Sequence, residues 1–138
     1  MYSLAIRSPS FHTTQSAKAS GMKAGDFLVC TFEIEGQPYI ALNGGPQYKF
    51  TEAVSFSVDC KNQEEVDYYW EKLTADGGAE SMCGWLKDKF GLSWQIVPSV
   101  MSELLGGKDP VKSGRAMHAM LGMRKLNIQV LKDAYEGK

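Results

Sequence analysis

The stretch Phe50-Thr-Glu-Ala-Val-Ser-Phe-Ser-Val-Asp-Cys60, followed by Lys61 and Asn62-Gln-Glu-Glu65, decides the fold. Val54, Phe56, Val58 and Cys60 recur at period two, with Ala53, Ser55, Ser57 and Asp59 between them. The pattern predicts a strand with one apolar face and one small, polar face. Asn62 then stands as an N-cap with a glutamate three residues on, and Val66, Tyr69, Trp70 and Leu73 repeat at helical spacing before Gly77 and Gly78. Beyond them, Cys83-Gly-Trp-Leu-Lys-Asp-Lys-Phe-Gly-Leu-Ser-Trp-Gln-Ile-Val-Pro98 reads as two strands joined by a turn near residues 88–91, and Pro98 stops the second. With a short strand near residues 79–83, the order over residues 50–98 is βαβββ.

Upstream, residues 26–42 alternate and turn at Glu35-Gly-Gln-Pro38 into Tyr39-Ile-Ala-Leu42, which predicts a β-hairpin. Asn43-Gly-Gly-Pro46 ends it. Residues 1–25 are rich in Ser, Thr, Lys and Gly without sustained periodicity, and are expected to be irregular apart from a short strand around 10–15. Two modules are implied, the first abbreviated, pairing into a curved sheet around a cleft. Downstream, residues 99–105 form a short helix closed by Gly106 and Gly107. Asp109-Pro110 starts a second, with an apolar stripe from Val111 to Met123, and Asn127 caps a third. Helices this short need a surface to pack on, either the sheet or another subunit. The expected division is a domain over 1–98 and a helical extension over 99–138.

Composition excludes several functions. A net charge of -1 with scattered lysines leaves no basic stripe for a phosphate backbone. No apolar run approaches the ~20 residues of a membrane span, and the start lacks the pattern of a secretory signal, so a cytoplasmic protein is the expectation. Cys30, Cys60 and Cys83 are odd in number and widely spaced, which indicates neither a disulfide framework nor a zinc knuckle.

Four phrases carry a family resemblance: Ala41-Leu-Asn-Gly-Gly45, Phe50 to Asp59 as quoted above, Cys83-Gly-Trp-Leu-Lys-Asp88 and Ser93-Trp-Gln-Ile-Val-Pro98. They resemble the PhnB-like proteins of the vicinal-oxygen-chelate superfamily, the glyoxalase, bleomycin-resistance and extradiol-dioxygenase folds. Residues 117–128 and 131–137 are similar to that family's C-terminal helical tail. The resemblance implies an α+β fold of paired βαβββ modules, here lacking the usual first strand and most of the first helix. One scaffold in this superfamily hosts unrelated chemistries, so the fold alone names no reaction.

In the metal-using relatives the ligands come from the first and last strands of each module. That alignment points to Glu52 and Gln95 in the second module and places Asn43 near the matching end of the first. A carboxylate and two neutral amides suit Zn, Ni or Fe poorly, and the two histidines, His12 and His118, stand far apart in sequence and off those strands. A metal-free cleft is therefore expected, with no cofactor. Glu52 is the candidate for acid–base work if desolvation raises its pKa; the alternative is an exposed strand-end glutamate. Trp85 and Trp94 on facing strands, with Tyr39, Phe56 and Phe90, either line an aromatic cavity for a planar organic molecule or simply pack the core. Some family members are labelled demethylubiquinone methyltransferases, yet no Gly-x-Gly loop leads from a strand into a helix here to cradle an adenosyl cofactor. The expectation is a small-molecule-binding protein rather than an enzyme, working as a homodimer, by strand or domain swapping, because an abbreviated first module leaves an open sheet edge. A metal-dependent lyase, isomerase or dioxygenase is the alternative.

Overall fold

The computed structural model describes residues 28–34 and 36–138, and the backbone alone of residues 6–12. The chain divides into two units between Lys49 and Phe50. In the first, strands β1 (Ile6–His12), β2 (Val29–Ile34) and β3 (Gln37–Leu42) form an antiparallel sheet in the order β1-β2-β3. The register Ile34↔Gln37 leaves a two-residue connection, the shortest a hairpin allows. Pro38, expected in the turn, lies within β3 opposite Glu33; β3 is an edge strand, where a residue without an N–H is tolerated. β1 begins earlier than the short strand expected at residues 10–15. It carries an extra residue between Arg7 and Ser10, a bulge over Ser8 and Pro9. The rest of residues 1–25, with the expectation of irregular backbone there, lies outside the described residues.

The second unit contains the βαβββ module: β4 (Ser55–Cys60), α1 (Gln63–Thr74), β5 (Ala79–Glu80), β6 (Trp85–Lys87) and β7 (Ser93–Pro98). Its sheet order is β4-β7-β6-β5, with β4 parallel to β7 and the other pairs antiparallel. Parallel pairing of β4 with β7 requires a crossover, and α1 supplies it. The start of α1 follows from its sequence: Asn62 Oδ1 accepts the Glu65 N–H at 2.9 Å, and Glu65 Oε2 accepts the Lys61 N–H at 2.8 Å. The glutamate thus reaches one residue further back than in the usual capping box.

Alternation then builds the core. Val58, Cys60, Leu86, Trp94 and Ile96 share the face against which Val66, Trp70 and Leu73 of α1 pack. Full burial of an aliphatic side chain such as Leu86 or Ile96 contributes about 1.5–3 kcal/mol. Trp70 is buried, and its Nε1 donates to Glu80 Oε1 at 2.8 Å, so its one polar atom is satisfied. Burial pushes the Cys60 thiol up to about 12, an inert apolar residue. Two glycines are dictated by close approach. A Cβ on Gly78 would lie 2.5 Å from Leu73 O and 2.8 Å from Lys87 O; one on Gly84, at φ +83°, would lie 2.9 Å from Ile96 O.

The expected strand from Phe50 is shorter than its alternation suggested. Residues 50–54 pair with no strand, turning at Glu52 and Ala53, and regular pairing starts at Ser55 opposite Ser93. β7 has no partner residue before Ser93, so the earlier residues find no ladder to join.

After β7 come α2 (Met101–Gly106), α3 (Pro110–Leu121) and α4 (Ile128–Glu136). Asp109 Oδ1 accepts the N–H groups of Val111 and Lys112, Pro110 fits the first turn, and Asn127 Oδ1 accepts the Val130 N–H. Met101, Leu104, Ala116, Leu126 and Leu131 form a second core, against which Val97 of β7 packs. Backbone bonds join the helices to the sheet: Cys83 N–H donates to Met123 O at 2.7 Å and Gly84 N–H to Arg124 O at 2.8 Å. The Gln63 side chain of α1 completes the seam, donating to Leu126 O and accepting from the Ile128 N–H. The tail thus folds onto its own module. α3 ends at Leu121, short of the Met123 to which its apolar stripe was expected to run, and Met123 reaches the second core from the loop.

Candidate functional site

The face of the four-stranded sheet away from α1 is set by register. Residues opposite each other in paired strands point the same way, so Ala79, Lys87, Ser93 and Ser55 make one row across the sheet and Trp85, Gln95 and Ser57 the next. This is the small, polar face of the alternating pattern. Gln95 Nε2 donates to Ser55 Oγ at 2.9 Å, tying β7 to β4 through side chains.

A pocket of about 200 Å³ opens on this face, lined by Glu52, Ala79, Glu80, Ser81, Trp85, Leu86, Lys87 and Ser93. Lys87 Nζ is ion-paired with Glu52, which reaches over from the turn before β4. Lys87 holds the Glu52 carboxyl below the usual carboxylate range, through its hydrogen bond first and then a backbone hydrogen bond and its charge. The pull of Lys87 thus outweighs the desolvation that would raise the Glu52 pKa. Glu80 is engaged on the other side, accepting from Trp70, with Arg124 at 3.7 Å from its second oxygen. Ser93 is only 1 % exposed, and its hydroxyl has no hydrogen-bond partner among the described residues. A buried hydroxyl left unpaired costs about 1–3 kcal/mol, which a ligand that meets it returns.

The β6–β7 turn holds this geometry. Asp88 Oδ1 accepts the N–H groups of Phe90 (2.9 Å) and Leu92 (3.0 Å), while Oδ2 accepts Trp94 Nε1 at 3.0 Å. One carboxylate fixes both the turn and the indole, and the turn brings Lys87 opposite Ser93.

Of the residues expected to form a site, the structure brings Glu52 and Trp85 to this pocket, and Gln95 to the same face. Trp94 and Phe56 are placed otherwise. Trp94 pairs with Leu86, not Trp85, so the two indoles lie on opposite faces; Trp94 packs on the α1 core and stands 5.5 Å from the Phe56 ring. Phe90, in the turn, is 74 % exposed, with Lys89 Nζ 5.4 Å from its ring centre. Tyr39 and Asn43 belong to the first unit, where Tyr39 stacks on Phe32 at 5.5 Å and the Asn43 N–H donates to Leu28 O. His118 lies exposed on α3, beside Arg115, whose guanidinium donates to the carbonyls of Ala134 and Tyr135 and closes α4. The His12 side chain lies outside the described residues. Lys87 and Ser93 were not anticipated, although both stand in phase with residues that were: Lys87 two after Trp85, Ser93 two before Gln95.

The donors on this face do not fit a divalent transition metal. Glu52 already faces an ammonium, Gln95 offers a neutral amide, and among the described residues no three His, Cys, Asp or Glu side chains gather.

A parallel crossover closed by α1, with an antiparallel pair of strands beyond it and a polar face opposite the helix, defines a βαβββ-module protein of the α+β class. The chain belongs to the 3-demethylubiquinone-9 3-methyltransferase family, whose model matches residues 5–97, and it is PhnB-like. Among solved structures it is similar to a Bacillus cereus PhnB protein carrying the same methyltransferase description, at 31 % identity and a TM-score of 0.55, covering 68 % of this chain and 78 % of that one. No curated protein matches. No helix among the described residues is long and apolar enough to cross a membrane.

Proposed function

We propose that this chain is a small-molecule-binding protein of the cytoplasm whose ligand site is the pocket on the open face of its second module, working without a metal. The observation that supports it is the Ser93 hydroxyl, buried and unpartnered at the wall of a pocket that also presents an indole and an ammonium. The volume of about 200 Å³ falls below the ≈ 300–1,000 Å³ of drug-sized sites, so the ligand is small. The methyltransferase description of the family is not carried over. Such a reaction calls for an adenosyl site, and the glycine pair that follows a strand, Gly44-Gly45 after β3, runs into Pro46 and turns, with no helix N-terminus behind it.

The test is an amide and indole NMR screen of the intact chain with a library of small aromatic and aliphatic compounds. Binders are expected to move the Trp85 indole N–H and the Ser93 and Lys87 amides while leaving Trp94 still. Binders that cluster elsewhere overturn the reading. The second reading, a metal-dependent lyase, isomerase or dioxygenase, would have only Glu52 and Gln95 of this face to draw on; stoichiometric metal in protein purified without chelator would establish it over the first. We also propose a homodimer. β4 is the outermost strand of its sheet and six residues long, an edge that invites pairing. Light scattering at micromolar concentration is expected to give twice the chain mass, and a monomer refutes it.

A further inference from the structure

We infer that this pocket takes a small organic monoacid, its carboxylate held between the Lys87 ammonium and the Ser93 hydroxyl and its apolar body against Trp85, with Glu52 as the internal carboxylate that the acid displaces. This rests on the reading of the pocket as a ligand site and says what enters it.

Four observations carry it. Lys87 and Ser93 are directly opposed across β6 and β7, a pairing that puts Cβ atoms about 5 Å apart, so an ammonium and a hydroxyl can converge on one carboxylate. Lys87 already binds a carboxylate, that of Glu52, so the sign of charge the site stabilises is on display. Trp85 stands two residues along the same strand and on the same face, roughly 7 Å from the Lys87 position. That spacing and the pocket's volume fit a single ring bearing an acid group. Ser93 has a hydroxyl in want of a partner, which Glu52 does not supply.

The charge balance selects among anions. Among the described residues of the pocket wall Lys87 is the one cation; of the two carboxylates there, Glu52 is the one it holds, and Glu80 is occupied with Trp70 and Arg124. One ammonium and one hydroxyl suit a monoanion; a phosphate dianion calls for more donors. The Glu52–Lys87 pair is partly exposed and contributes little to stability, so exchanging one carboxylate for another is cheap. Glu52 then acts as a latch: it neutralises Lys87 when the pocket is empty and sets a threshold that an entering acid must exceed.

The experiment is an NMR titration of the intact protein with benzoate, benzamide, benzylamine and inorganic phosphate. Wild type is compared with Glu52→Gln, Lys87→Met and Ser93→Ala, each checked for a native spectrum. Benzoate is expected to move the Trp85 indole signal and to bind at least tenfold more tightly than benzamide or benzylamine. Glu52→Gln should tighten benzoate roughly threefold to fivefold, the scale of one exposed ion pair, and Lys87→Met should weaken it about tenfold or more while leaving benzamide unchanged. If benzamide matches benzoate at Trp85, if phosphate outbinds benzoate, or if Glu52→Gln weakens benzoate, the acid assignment falls and the pocket reading stands. If no probe moves Trp85 in wild type or in Glu52→Gln, both fall.

Discussion

Replacing Asp88 by alanine removes the three hydrogen bonds that organise the β6–β7 turn, two to its own backbone and one from the Trp94 indole. A hydrogen bond to a carboxylate contributes about 1.5–3 kcal/mol when sheltered and less when exposed. Phe90 is exposed, whereas Leu92 and Trp94 are half-buried, so the loss should come to about 3–4 kcal/mol. At roughly 3 °C per kcal/mol for a chain of this size, the melting temperature should fall by about 10 °C. Asp88→Asn is the sharper variant. It keeps an acceptor for the turn but turns a donor toward the indole N–H, and should cost about 2 kcal/mol, most of which disappears in the Trp94→Phe background. Urea unfolding followed by far-ultraviolet circular dichroism measures each, with an unchanged m-value as the sign that only stability has moved. An Asp88→Ala protein within about 0.5 kcal/mol of wild type, or an Asp88→Asn protein as damaged as the alanine variant, would refute the two-part role of this carboxylate.

Gly78→Ala should destabilise by about 2 kcal/mol or more, because the added methyl meets backbone atoms of both α1 and β6, which cannot rotate aside; an equilibrium unfolding curve superimposable on wild type would contradict this. The Glu52 carboxyl should titrate below the ordinary glutamate range by NMR and move back toward it in Lys87→Met, the backbone hydrogen bond keeping part of the depression. Since the folded-state pKa is the depressed one, the pair's contribution is present above the unfolded-state pKa and lost as pH falls through the folded value. Asp67 obeys the same sign, its pKa lowered chiefly by the hydrogen bond from Lys125, and Lys125→Met should flatten the acid limb of stability by less than about 1 kcal/mol. Cys60 should resist thiol reagents at pH 8 until the protein unfolds, while half-buried Cys30 and Cys83 bracket it as internal references; native labelling of Cys60 at their rate would overturn its placement.

Much of the second module was legible because its signals are local. Asn62 and Glu65 sit at capping distance, Asp88 and Gly91 mark a turn, and Val58 and Cys60 alternate with Ser57 and Asp59. The choice between a shared cavity and core packing for Trp85 and Trp94 stayed open because parity across a hairpin depends on the turn length. With Lys87 opposite Ser93, partner numbers add to a constant that matches Trp85 with Gln95, so Trp94 must face the helix. Counting a five-residue turn over 88–92 would have found this. Lys87 and Ser93 escaped notice because a strand lysine and a strand serine are ordinary until their common phase with Trp85 and Gln95 is traced. Residues 50–54 misled in the opposite sense, since alternation without a neighbouring strand does not make a strand.

Family recognition covers residues 5–97, yet the seam between Gln63, Leu126 and Ile128, and the bonds from Cys83 and Gly84 to the α3–α4 loop, lie partly beyond that span. A fragment trimmed at the recognised border would strip two amide hydrogens at the start of β6 of their acceptors and lay bare Val97. The unit that evolution's pattern identifies is thus smaller than the unit that can hold its shape. Any chimera, truncation or domain graft made with this module must carry the last forty residues along.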